Sequence, residues 1–140
     1  MKLAGRKALI TGASQGLGLS IARAFIAEGA DVMLCARDEK ALLAARDELA
    51  ASAGGGIRVL ARRADVSMQR DVEALVEEAL HELGKLDVLV CNAGVYGPKG
   101  ASEQVDWAEW ERAISINLMG TVLPCRQIIP HFKQRKNGSA

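Results

Sequence analysis

Lys7-Ala8-Leu9-Ile10-Thr11 runs directly into Gly12-Ala13-Ser14-Gln15-Gly16-Leu17-Gly18, and an amphipathic stretch follows. A short apolar run, a glycine-rich turn and a helix in that order is the arrangement by which an α/β protein presents a phosphate site. Gly12 lets the chain turn sharply out of the strand. Gly16 carries no Cβ, so backbone can come close to an anion, and Gly18 lets the helix lie tightly on the sheet. The N–H groups of the first helical turn and the positive end of its dipole then face the same point.

Strand and helix patterns alternate outward from this stretch. Residues 6–11 are the first strand, and 16–28 the first helix, closed by Gly29. Residues 31–36 form a second strand, and Asp38 caps a helix running to about Ser52, before Gly54-Gly55-Gly56. Residues 57–61 are the third strand. Ser67 is positioned to cap a third helix, whose Val72, Leu75, Val76, Ala79, Leu80 and Leu83 share one face, with Gly84 at its end. Residues 86–91 are the fourth strand. A last helix starts near Asp106, with Glu109 placed for a capping box, and reads on to about Lys136. Pro124 and Pro130 fall inside it, and a kink or break is expected near Gly120–Pro124. Asn137-Gly138 looks like its end. The strands are nearly continuous in apolar character, which implies a parallel sheet covered by helices on both faces. Thr11, Arg37, Asp65 and Asn92 all fall at or just after strand C-terminal ends, where such sheets bind ligands.

Composition narrows the function classes. The 140 residues suit one domain, with 49% hydrophobic residues to build a core. A net charge of +1 gives no electrostatic case for nucleic acid or an anionic membrane. The local cluster Lys133, Arg135 and Lys136 reads as cations complementing a helix C-terminus. Arg6 and Lys7 interrupt the N-terminal apolar residues too early for a signal peptide, and no run approaches a membrane span, so the reading is a cytoplasmic chain. Cys35, Cys91 and Cys125 are an odd number without close spacing. They read as small buried hydrophobes in a reducing compartment, with Cys91 near the groove as a candidate reactive thiol. His81 and His131 have no evident metal or nucleophile partner, and no metal site is expected.

The glycine order TGxxxGxG, Asp65-Val66 after the third strand, Asn92-Ala93-Gly94 after the fourth and Asn117 in the helix beyond together resemble the short-chain dehydrogenase/reductase family along essentially the whole chain. The resemblance implies an α/β fold. It is a Rossmann-type doubly wound parallel sheet of strand order 3-2-1-4, cut before the fifth strand, with residues 1–140 as an incomplete NAD(P)-binding domain. It implies that Gly12, Ser14, Gln15, Gly16, Leu17 and Gly18 line the cofactor's phosphates and adenosine ribose. Asp65 would accept from the adenine amino group while Val66 meets the ring. Asn92, Ala93 and Gly94 would wall the groove and tie the fourth strand to the first, partly through Thr11. The parent activity is hydride transfer between a nicotinamide and an alcohol or carbonyl substrate. The family's catalytic Ser and Tyr-x-x-x-Lys lie further along than this chain runs. Asn117, whose carbonyl in the family holds a water behind that lysine, joins the catalytic set only if the lysine is supplied.

Cofactor choice turns on the end of the second strand. NAD-preferring enzymes usually have a carboxylate there; this chain has Ala36 followed by Arg37, a forked donor for a 2′-phosphate. NADP is therefore favoured over NAD, although Gln15 stands where many NADP-preferring relatives have a base and Asp38 adds negative charge. Tyr96 and Lys99 are three apart, with Gly97-Pro98 between them, and cannot replace the catalytic pair on one helical face. The fourth strand is expected at a sheet edge. Ile114, Leu118, Val122, Ile128 and Ile129 are expected to expose apolar surface, so the chain reads as a homo-oligomer. The alternative to an enzyme portion is a non-catalytic dinucleotide-binding or interaction module that pairs with another chain.

Overall fold

The computed structural model describes residues 1–136. Four parallel strands, β1 (Lys7–Thr11), β2 (Asp31–Ala36), β3 (Val59–Arg63) and β4 (Val88–Val90), lie in the order β3-β2-β1-β4. Helices α1 (Gly16–Ala27), α2 (Glu39–Ser52) and α3 (Gln69–Leu83) make the crossovers. After β4 come α4 (Trp107–Ile114), a π-helical turn over Ser115–Met119 and α5 (Gly120–Arg135). The strand order is the one expected from the sequence. Asn137-Gly138 lies outside the described residues. The helix ends before it, at Lys136, in a left-handed conformation.

Alternate residues of the central strands feed two cores. Ala8, Ile10, Val32 and Leu34 pack with Ala22 and Ile26 of α1 and Leu42 and Leu49 of α2. Leu9, Met33, Cys35 and Leu89 pack on the other face with Val72, Leu75, Val76, Ala79 and Leu83 of α3 and Ile128 of α5. This two-sided burial explains the unbroken apolar runs of β1 and β2. β3 departs from it. It is an outer strand, only partly buried, and it begins and ends two residues later than its apolar run. The register carries it to Ala36↔Arg63, because an edge strand tolerates Arg62 and Arg63. β4 is shorter than expected, at three residues.

Capping chemistry departs from the sequence in two places. Asp38 does cap α2, accepting from Ala41 N–H at 3.1 Å. Ser67 does not cap α3; its N–H and hydroxyl donate to Asp65 at 3.0 and 2.6 Å, and α3 starts later, with Met68 as its cap residue. Asp106 makes no side-chain capping bond, so the expected capping box is absent. The helical irregularity expected at Gly120–Pro124 falls at Ser115–Met119 instead, and Pro124 continues within α5 as a buried residue.

The N-terminal end of the sheet is held by two buried carboxylates. Asp31 pairs with Lys7 Nζ and accepts from Arg58 N–H at 2.9 Å. Asp87 accepts from Lys7 N–H at 2.9 Å and from Arg135 at 3.0 Å, with Lys85 Nζ at 3.3 Å. Arg135 also donates to Leu86 O at 2.6 Å, and Leu86 N–H donates to His131 Nε2 at 3.1 Å. Arg135 is thus more than a cation beside a helix end: together with His131 it fastens α5 beneath β4. Among the described residues no helix is long and apolar enough to cross a membrane.

Candidate dinucleotide groove

The opposite, C-terminal end of the sheet opens into a groove of about 660 Å³. Its floor is the β1–α1 turn. Gly12 and Gly16 both have positive φ, 62° and 58°. At Gly12 the reason is contact: a Cβ would stand 2.8 Å from Ala93 Cα. At Gly16 a Cβ would meet nothing within 4 Å, because the space above it is the groove. Gly18 behaves differently. It is buried, and a Cβ there would lie 2.2 Å from Gly12 O and 2.5 Å from Asn92 Nδ2. It seats α1 against the turn and is not among the groove-lining residues. Gln15 precedes α1 without a side-chain cap, so the first-turn N–H groups keep no side-chain partner and stand at the groove floor.

The second wall is tied to the first by Thr11. Its buried hydroxyl accepts from Asn92 N–H at 3.0 Å and Ala93 N–H at 3.1 Å, and donates to Val90 O at 3.4 Å. Asn92 Nδ2 returns to Gly12 O at 3.1 Å. The strand-to-strand link expected of Thr11 and Asn92 is therefore present, and Asn92, Ala93 and Gly94 line the groove. Asn117, inside the π-helical turn, brackets Val95 by accepting from its N–H and donating to its carbonyl, each at 2.8 Å. The wider turn and this two-bond bracket place Asn117 on the groove rim.

At the far end lie Ala36, Arg37, Asp38, Ala64 and Val66, with Ser14 and Gln15. Arg37 O accepts from Arg63 Nε at 3.0 Å. Sequence reading missed Arg63 because its strand was ended at the last apolar residue. Asp65 is partly buried behind the lining residues, and Asp71 accepts from its N–H at 2.9 Å. Burial opposes ionisation of Asp65, but the Ser67 hydroxyl and N–H, with the Arg37 and Arg112 guanidinium groups, hold its carboxyl below the usual carboxylate range.

Tyr96 is 99% exposed on the loop after β4 and also lines the groove. Lys99 Nζ sits 5.8 Å from its ring centroid, a cation–π contact with the ring face. The pair lies in a loop, as its spacing requires. Cys91 and Cys125 are only partly buried, a correction to their reading as core residues; Cys35 alone is fully buried.

Comparison with known proteins matches residues 6–140 to the family described as short chain dehydrogenase. The chain is 41% identical over 131 residues to a glucose 1-dehydrogenase of Gluconobacter oxydans, covering 94% of this chain and 48% of that protein. It superimposes on a 3-ketoacyl-(acyl-carrier-protein) reductase from Brucella melitensis complexed with NADH, with TM-score 0.86, 39% identity and coverage of 95% of this chain and 52% of that one. A short chain dehydrogenase/reductase from Burkholderia phymatum in complex with NAD gives TM-score 0.91 at 32% identity, over 99% of this chain and 48% of that one. The chain thus spans about half the length of these relatives. On the match over residues 6–140, this chain belongs to the short chain dehydrogenase family.

Proposed function

We propose that the groove binds a nicotinamide dinucleotide, NADP(H) in preference to NAD(H), as the cofactor site of an oxidoreductase acting on an alcohol or carbonyl. Ala36 and Arg37 lining the groove beside Ser14 carry the cofactor assignment. Ala36 offers no carboxylate to repel a 2′-phosphate, and Arg37 supplies a fork of donors. The other acidic group there, Asp38, is engaged as the α2 cap, which directs its charge to that helix. The relatives complexed with NADH and NAD are distinct proteins, and the choice rests on these local residues of this chain.

The groove fits the group. Open space above Gly16, uncapped N–H groups at the start of α1 and a volume within the usual range for ligand sites all suit a pyrophosphate. Gly12, Ser14, Gln15, Gly16 and Leu17 hold that segment, with Gly18 seating the helix behind it. Asp65 and Val66 take the adenine, and Asn92, Ala93 and Gly94 the ribose wall. When bound, the nicotinamide supplies or accepts the hydride. Asn117 holds the rim and offers its carbonyl to a proton relay when a lysine completes it.

Tyr96 and Lys99 do not supply the acid–base pair, so the 140-residue polypeptide alone is expected to show no turnover with a panel of alcohols and ketones. Turnover that disappears in Tyr96→Phe would overturn that reading. The second reading, a dinucleotide-binding module that pairs with another chain, is favoured by the β4 edge and the exposed apolar residues beside it. An open frame beyond the Ala140 codon encoding Ser and Tyr-x-x-x-Lys decides for the enzyme.

Calorimetric titration with NADPH and NADH tests the cofactor. Arg37→Ala should weaken NADPH by about 1.5–3 kcal/mol, the loss of a charge-assisted contact, and leave NADH nearly unchanged. Equal wild-type affinities would end the NADP assignment.

A further inference from the structure

Cys91 follows β4 and Cys125 lies in the second turn of α5, far apart in sequence, yet their sulfurs stand 3.9 Å apart. Cys91 Sγ is also 4.0 Å from Thr121 O, so it rests over the first turns of α5. Both are free thiols and both are partly exposed. Neither lines the groove, and the proposed cofactor chemistry uses neither.

We propose that Cys91 and Cys125 form an oxidation site, a dithiol that a peroxide closes into an internal disulfide between the end of β4 and α5. A disulfide needs the sulfurs at about 2.05 Å, so roughly 1.9 Å remains to close, within reach of side-chain rotation and a small shift of α5. The ring it closes encloses α4 and the groove-lining residues Asn92, Ala93, Gly94, Val95, Tyr96, Ile116 and Asn117.

Burial, and then the neighbouring Cys125, push the Cys91 thiol up to about 12. One sulfur of the pair attacks one peroxide oxygen, the O–O bond breaks, and hydroxide leaves and takes the thiol proton as water, giving a sulfenic acid. The other sulfur then attacks that sulfur; the S–S bond forms, the S–O bond breaks, and the departing hydroxide takes its thiol proton as a second water. Two thiols lose two electrons and hydrogen peroxide gains them. A reducing thiol reverses the closure by exchange. Cys35 stands apart: it is fully buried, and burial pushes it up to about 12.

The test uses the reduced 140-residue chain, dilute enough to disfavour contacts between copies. It is treated with hydrogen peroxide, alkylated with iodoacetamide and digested without reductant. Mass spectrometry should find the Cys91 peptide joined to the Cys125 peptide, minus two hydrogens, and dithiothreitol should separate them. The thermal midpoint should rise on oxidation and fall back on reduction. Neither Cys125→Ser nor Cys91→Ala should show the rise. Alkylation of both cysteines after peroxide, a sulfinic acid at either cysteine without linkage, or a disulfide only between chains would overturn the proposal. The peptide map uses the wild-type chain, so it does not depend on either variant folding.

Discussion

Helices α1 and α5 are seated on the sheet in the same way and then diverge. Each buries a glycine, a second residue four on and a branched apolar residue four beyond: Gly18, Ala22 and Ile26 in α1, Gly120, Pro124 and Ile128 in α5. Each glycine is required by a close approach. What approaches differs. At Gly18 the obstacle is main chain, Gly12 O at 2.2 Å; at Gly120 it is a side-chain methyl, Val66 Cγ2 at 2.6 Å. The outer faces differ too. Beyond Leu17, which is exposed at the groove, that of α1 is Ser20, Arg23, Ala24 and Ala27, small or polar. The α4–α5 stretch exposes Trp107, Ile114, Leu118, Met119, Val122 and Ile129. The first helix borders the groove at its N-terminus. The second is anchored on one face, and its Val122 and Ile129 join α4 and the π-helical turn in the kind of apolar patch that marks an interface.

The sharpest break of this comparison is Gly18→Ala. Its Cβ would meet a backbone carbonyl that cannot move without undoing the Gly12 turn, so a loss of about 4 kcal/mol or more is expected in urea denaturation. Near-wild-type stability would mean that the β1–α1 contact is not rigid. Next is the anchor of α5. Asp87→Asn leaves Arg135 without its buried partner and should cost about 3 kcal/mol at neutral pH. Its acid dependence has a definite sign. Burial opposes the charge of Asp87, but the Lys7 N–H and the Arg135 and Lys85 side chains outweigh it and hold the carboxyl below its ordinary value of 3.8. A depressed carboxyl stabilises the fold fully above that ordinary value, and the contribution fades as pH falls through the lower folded value. Denaturation curves of wild type and Asp87→Asn should therefore converge below about pH 4; a constant gap down to the lowest pH would contradict this.

Gly120→Ala is milder, about 1–3 kcal/mol, because Val66 can give way. Val66→Ala in the same chain should recover part of the loss, and no recovery would place the strain in the backbone. The smallest change in stability is expected from Leu118→Lys, within about 0.5 kcal/mol for an exposed site. Its effect is on association. The wild-type polypeptide should self-associate at micromolar concentration in sedimentation velocity and the variant should shift toward monomer; a monomeric wild type would remove the proposed interface.

Legibility followed the physics of each element. The β1 strand, its glycine turn, β2 and the Asp38 cap could be read because their determinants are local: an apolar run, residues free of a Cβ, one carboxylate before a helix. The end of β3 could not, because pairing with β2 and an edge position, not hydropathy, carry Arg62 and Arg63 into the strand. Ser67 and Asp106 had cap-like identities, but Ser67 turns to Asp65 and Asp106 makes no cap bond. Ile128 was expected on the exposed face with Val122 and Ile129 and is fully buried, because within α5 it falls four residues after Pro124 on the face that Gly120 and Pro124 bury. Asp87 stands alone as a charge within the apolar run 86–91, and only the fold shows it buried beside three cations, Arg6, Lys85 and Arg135.

The sequence by itself determined the glycine turn after β1 and the Ala36–Arg37 position, since local spacing is enough for each, and its spaced motifs carried the resemblance that implied the strand order. Only the tertiary structure decided which residues distant in sequence meet: Thr11 with Asn92, Asp87 with Arg135, Arg63 with Arg37 and Cys91 with Cys125. Such pairs depend on how far one helix is rotated and shifted against a strand, and that is fixed by close packing across the whole sheet rather than by any short stretch of chain.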